Sequence, residues 1–143
     1  MIILPLELIE LEENNFHPVL KGKLGNGKEL FWIVDTGASK TVFDSNLEEY
    51  YKLIRTNDQE QYQSAGISVG MVETKVGCIE KLRFGKLRIR DLKVALIDLS
   101  HVNDIYRKYR DIRIAGLLGS DVLKAYGCRI DFASAVITFE RNK

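Results

Sequence analysis

The sequence predicts a mainly β fold, a small closed antiparallel barrel with two or three short helices, on three observations. Apolar and polar residues alternate in many short runs, most clearly between Thr74 and Asp98. Glycine- and asparagine-bearing turns separate those runs. Helical spacing of apolar residues occurs only in brief stretches. With 143 residues and 45% hydrophobic composition, residues 1–143 are expected to form a single domain around a sizeable core.

Taken in order, residues 16–34 form a hairpin: Phe16 to Leu24, a turn at Gly25-Asn26-Gly27, then Glu29 to Val34. The glycines between Gly22 and Gly27 do not follow the G-x-G-x-x-G order and lack a strand-then-helix frame, which excludes a phosphate loop of that type. Ser45-Asn46-Leu47-Glu48 fits a capping box, and Leu47, Tyr50, Tyr51 and Ile54 continue it as a short helix. A polar loop from Arg55 to Gln63 follows. Ser64 to Val72 then alternates small and apolar residues, and its glycines at 66 and 70 suit a hairpin. Antiparallel strands are expected from Thr74 to Asp98, punctuated by Gly77, Gly85 and Arg90-Asp91. Ser100 is placed to cap a helix whose apolar stripe is Val102, Ile105, Tyr106 and Tyr109. Ser120 or Asp121 caps another that Gly127 ends, and strands Cys128 to Phe132 and Val136 to Glu140 close the chain.

The formal net charge is +1, with Lys and Arg dispersed among nearly as many Asp and Glu, so neither nucleic acid nor a membrane is expected as a partner. Cys78 and Cys128 lack metal-site or disulfide-framework spacing and are expected to be free thiols of a cytoplasmic protein. Met1 to Leu8 is too short, and too broken by Pro5, for a secretory core, and no stretch approaches membrane-spanning length. His17 and His101 have no acidic or cysteine cluster at ligand spacing, so no metal and no cofactor are expected.

The chemistry concentrates at Phe31-Trp-Ile-Val-Asp-Thr-Gly-Ala-Ser39. A continuous apolar run delivers one carboxylate, Asp35, to a tight turn. Thr36 can hydrogen-bond to a neighbouring chain, and Gly37 lets backbone N–H groups approach the carboxylate. So short a motif also arises by chance, and context decides its weight. Here Ala-Ser-Lys-Thr-Val-Phe leads out of the turn, and a second apolar strand ending in glycine follows at Ile114-Ala-Gly-Leu-Leu-Gly119.

With these two segments in this order, the chain resembles the retropepsin-like aspartic peptidases from about residue 16 to 140. The resemblance implies an acid-protease barrel and an aspartic endopeptidase. Asp35, Thr36 and Gly37 would form its catalytic turn. A polypeptide substrate would be bordered by Ala38, Ser39, Leu117 and Leu118 and covered by a flap at Gly66, Ile67, Ser68, Val69 and Gly70. Leu117 and Leu118 read equally well as ordinary core residues. Hydrolysis needs two carboxylates about one water, and this chain carries one such motif, since Asp98 and Asp131 lack the Thr-Gly turn. A symmetric homodimer pairing Asp35 with its copy supplies the second.

Departures from the retroviral pattern are specific. Ser39 stands where those enzymes have an acid, and Ser120 where they have an arginine, so their internal ion pair is replaced, with Asp121 expected to anchor the late loop through its helix cap. The retroviral dimer also uses a sheet made from its termini, a part open to Met1–Leu8. Two rivals share the pattern: a catalytically weak or inactive retropepsin-like peptide-binding or dimerisation module, and a β-barrel ligand binder with an accidental motif.

Overall fold

The computed structural model describes residues 1–54 and 75–140. Chain reversal at Gly25-Asn26-Gly27 builds the first long hairpin. Its strands, β3 (Asn15–Leu24) and β4 (Glu29–Val34), pair antiparallel from Val19↔Ile33 to Lys23↔Glu29. Gly27 takes φ +87°, a left-handed conformation open to glycine, and Asn26 Oδ1 accepts the Lys28 N–H at 2.9 Å. A second hairpin joins β7 (Lys75–Phe84) to β8 (Leu87–Ile97) around Gly85.

β7 also pairs with β3, through Lys23↔Arg83 and Leu24↔Leu82. That pairing closes a six-stranded barrel in the order β3, β4, β9 (Ile114–Leu118), β5 (Val42–Asp44), β8, β7. Most of its pairings are antiparallel; β4 with β9 and β5 with β8 are parallel. β9 thus lies between β4 and β5, which are consecutive in the described part of the chain, and the loop linking them must pass over the end of β9. β2 (Glu7–Glu12) extends the sheet beyond β3, and β6 (Lys52–Ile54) extends it beyond β7. β1 (Ile2–Pro5) pairs with β11 (Val136–Phe139) of its own chain, and β11 with β10 (Cys128–Asp131), in a separate three-stranded sheet.

Alternation along the strands sends one set of side chains inward. Trp32, Phe43 and Phe84 meet in the interior, with Trp32 stacked on Phe43 at 5.5 Å and edge-on to Phe84 at 5.7 Å. Burial of each such ring contributes roughly 1.5–3 kcal/mol. A second cluster, including Val19, Val42, Ala95, Tyr106 and Ile114, lies under α1 (Ser100–Tyr109). Asn103 is buried and fastens this helix to β9: its Nδ2 donates to Ile114 O at 3.0 Å, and its Oδ1 accepts from Ile114 N at 2.6 Å. Cys78 and Cys128 are free thiols, and burial pushes Cys128 up to about 11.

Three local expectations change. The segment after Ser45 forms only a single 3-10 turn, Glu48–Tyr50, with no side-chain cap, because Ser45 N bonds to Ile97 O and Lys52–Ile54 is drawn into pairing with β7. Ser100 does not cap α1, whose N-cap is Leu99 without a side-chain cap bond; Ser100 Oγ and Ser100 N donate instead to Oδ1 of Asp98, at 2.6 Å and 2.9 Å. Those bonds hold its carboxyl below the usual carboxylate range. Of the α1 stripe, Tyr106 is buried while Ile105 and Tyr109 face outward. Gly127 does end the helix α2 (Ser120–Ala125), at φ +58°.

Gly116 is the tightest point of the barrel: a Cβ there would lie 2.2 Å from Val42 O and 2.6 Å from Trp32 Cζ3. Backbone on one side and a packed indole on the other leave nothing that yields cheaply. Gly116→Ala is expected to lower the unfolding free energy by about 2–3 kcal/mol, read from the urea midpoint at constant m-value.

Candidate active site

β4 ends at Val34, opposite Leu118 of β9, and the parallel pairing is carried one residue further by Asp35 N bonding to Leu118 O at 3.0 Å. The backbone of Asp35 is therefore fixed by the sheet, while its half-buried side chain lies in the turn beyond. Asp35 Oδ1 accepts the Gly37 N–H at 3.0 Å, and Asp35 O accepts the Ala38 N–H at 3.2 Å. A Cβ on Gly37 would sit 3.3 Å from that same carboxylate oxygen, so the glycine permits the close approach. Thr36, Gly37 and Ser39 are exposed, and Ala38 is half-buried.

The far side of the loop is held by the segment that follows β9. Ser120 N donates to Ala38 O at 2.8 Å, and Gly119 N donates to Thr41 Oγ1 at 3.0 Å. Thr41 Oγ1 donates in turn to Asp121 Oδ1 at 2.8 Å, and Thr41 N to Asp121 Oδ2 at 3.1 Å. Thr41 is fully buried, and its carbonyl accepts the Ala95 N–H from β8 at 2.9 Å. The two chain segments approach so closely that a Cβ on Gly119 would fall 2.7 Å from Ala38 O and 2.8 Å from Lys40 C.

Asp35, Thr36, Gly37, Ala38 and Ser39 thus share one exposed turn, backed by Leu118. Leu118 is fully buried in the main core, with no surface left to offer a ligand, whereas Leu117 is half-buried against the second cluster. The expected flap, Gly66, Ile67, Ser68, Val69 and Gly70, lies outside the described residues. Asp121 anchors the late loop as expected, but by receiving Thr41 from within the first turn of α2; Gly119 occupies the cap position. Thr41 escaped the sequence reading, because its partner lies 80 positions away and no local pattern connects them. Among the described residues, no group of three or more His, Cys, Asp or Glu side chains could hold a metal ion.

The chain is similar to three solved structures over most of their length, and the first of them shares its fold. The retroviral protease-like domain of Ddi1 from Leishmania major has a TM-score of 0.50 at 14% identity, covering 86% of this chain and 87% of that one. A retropepsin-like aspartic protease from Rickettsia conorii is 19% identical, with 95% and 86% covered and a TM-score of 0.49. The EIAV protease, complexed with the inhibitor HBY-793, is 17% identical, with 85% and 98% covered and a TM-score of 0.49. No curated protein sequence matches the chain. A sequence model described as "Aspartyl protease" matches residues 20–122, a span that contains both Asp35 and the strand-glycine segment ending at Gly119. By that match, and by the barrel that seats Asp35 at the end of β4, this chain belongs to the aspartyl protease family and has the retropepsin-like fold.

Proposed function

We propose that the protein is an aspartic endopeptidase whose working unit is a homodimer. The observation that carries this is the Asp35 turn: a carboxylate fixed to the sheet by its backbone, presented beside an exposed threonine and glycine, and clamped from behind by Gly119, Thr41 and Asp121. One such turn supplies half of the chemistry. A two-fold axis beside Thr36 and Gly37 brings Asp35 and its copy about one water, and Thr36 bonds across to stiffen the pair.

One carboxylate accepts a proton from the water while the other, protonated, donates toward the scissile carbonyl. The water oxygen bonds to the carbonyl carbon. The resulting tetrahedral species collapses, the C–N bond breaks, and the leaving amine takes up a proton. The substrate is an extended polypeptide bound as an added strand and bordered by Ala38, Ser39 and Leu117. The proposed location is the cytoplasm, in keeping with the two free thiols.

A second reading, a peptide-binding or dimerisation module of low activity, draws on β1. That strand lies in the Met1–Leu8 segment for which a part in a terminal dimer sheet is open, and it pairs instead with β11 of its own chain, so the dimer that catalysis needs draws no support from it. Cleavage of an unstructured protein separates the two. Asp35→Asn is expected to abolish turnover with the dimer retained in sedimentation; equal activity of parent and variant eliminates the peptidase.

Ala38 places no hydroxyl beside the proposed pair of carboxylates, whereas a serine after the glycine, as in pepsin-like sequences, offers one. The activity optimum is expected at weakly acidic to near-neutral pH, and an optimum below about pH 3, near the pepsin values that serve as the standard worked case, contradicts it. Thr41→Val leaves the Gly119 N–H and an Asp121 oxygen without their partner. It is expected to cost about 2–3 kcal/mol of stability and to lower kcat more than it raises KM, whereas Thr41→Ser retains both bonds and most of the activity.

A further inference from the structure

Lys and Arg are dispersed along the sequence, yet the fold gathers them on one wall of the barrel. On the outer face of β3, β7 and β8, Lys23 stands across from Arg83, Arg83 across from Arg88, and Lys81 across from Arg90, all of them exposed. Directly opposed side chains on neighbouring strands have Cβ atoms about 4.5–5.5 Å apart, and like charges so placed are destabilising. Three such juxtapositions concentrate positive charge on one face of the barrel.

These side chains also border a concavity. A cavity of about 260 Å³ is lined by Lys23, Lys81, Arg83, Arg88 and Arg90 together with the Gly25 and Gly27 turn, and among the described residues its lining holds neither a carboxylate nor an aromatic ring. Glu29, across from Lys23, and Asp91, next to Arg90, do not line it. The site is remote from the proposed chemistry, since the Glu29 end of β4 is six residues from Asp35, roughly 20 Å at the usual rise per strand residue.

We infer that this cavity binds a compact anion carrying two or more phosphate groups. Three guanidinium groups suit phosphate oxygens, which they can engage through paired N–H donors. The volume lies below that of sites for drug-sized ligands, which favours a small polyanion. Single-stranded nucleic acid is disfavoured, because the lining offers its bases no ring to stack on. The shared chemistry is clustered phosphate, carried either by a free anion or by a phosphorylated lipid headgroup.

The test is calorimetric titration of the full chain with inorganic tripolyphosphate at low salt, with sulfate at matched ionic strength as the control. Saturable tripolyphosphate binding is expected, weakening with salt. The Arg83→Gln/Arg88→Gln double variant should bind about tenfold or more weakly, while its circular dichroism spectrum matches the parent's. Asp35→Asn should bind as the parent does, which keeps this result separate from the fate of the peptidase proposal. Vesicles bearing a bisphosphorylated inositol lipid, compared with phosphatidylserine vesicles, identify the source. Binding displaced by tripolyphosphate supports the headgroup, and binding of the soluble anion alone supports the free ligand. The inference is overturned by absence of saturable binding, by an equal response to sulfate, by a double variant that binds like the parent, or by an oligonucleotide that binds more tightly than tripolyphosphate.

Discussion

A single buried hydroxyl, Thr41 Oγ1, accepts the Gly119 N–H and donates to Asp121, and the position of the Asp35 turn depends on it. The need for it follows from topology. β9 runs between β4 and β5, so the chain that joins those two strands crosses over the end of β9, where Thr41 and Gly119 are cut off from solvent. Buried N–H and C=O groups without partners are costly, and a crossover cannot satisfy them by ordinary strand pairing. Thr41 and Asp121 supply the missing partners with two short bonds, and Ser120 N closes onto Ala38 O beside them. The result is a carboxylate-bearing turn held on both sides, which is the preorganisation that the proposed general acid–base chemistry requires.

Close backbone approach is the second half of the same design. At Gly116 and at Gly119 the missing side chain lets one strand or loop lie directly against another, and the space any Cβ would need is already occupied by a carbonyl oxygen. Trp32 fills the room on the inner side of Gly116 and stacks on Phe43 of β5. Core packing and site geometry therefore share residues. The segment Trp32 to Asp35 is at once the centre of the core and the approach to the turn, so rigidity in one is rigidity in the other.

Charge illustrates how far a total can conceal a distribution. A net charge of +1 is true of the chain and uninformative about its surface. Strand alternation sends every second residue of β7 and β8 outward, and the pairing of those strands with each other and with β3 sets Lys23, Arg83, Arg88, Lys81 and Arg90 side by side. The sequence places these residues up to 67 positions apart, from Lys23 to Arg90; only the register puts them on one face. Register thus gathers on one wall a positive charge that the total conceals.

Much of the molecule was legible in the sequence because it rests on local chemistry. Alternation and the Gly25-Asn26-Gly27 turn located the first hairpin, and Gly127 the end of the last helix. Of the breaks expected at Gly77, Gly85 and Arg90-Asp91, Gly85 is the turn, while the other two lie within β7 and β8. Gly27, Gly85 and Gly127 take a positive φ. The apolar run into Asp-Thr-Gly identified the turn and its family. Where local preference met a competing strand, preference lost: the capping box after Ser45 yielded to pairing with β7 and β8, and at α1 the Ser100 hydroxyl turns to Asp98 while Leu99 takes the cap position. By itself the sequence determined that there would be a β domain carrying one acidic turn. Tertiary structure alone decided that the barrel closes through β3 and β7, that two of its pairings run parallel, and that Thr41 meets Asp121. Those contacts join residues far apart in the chain, and no periodicity or short motif encodes a register between distant strands.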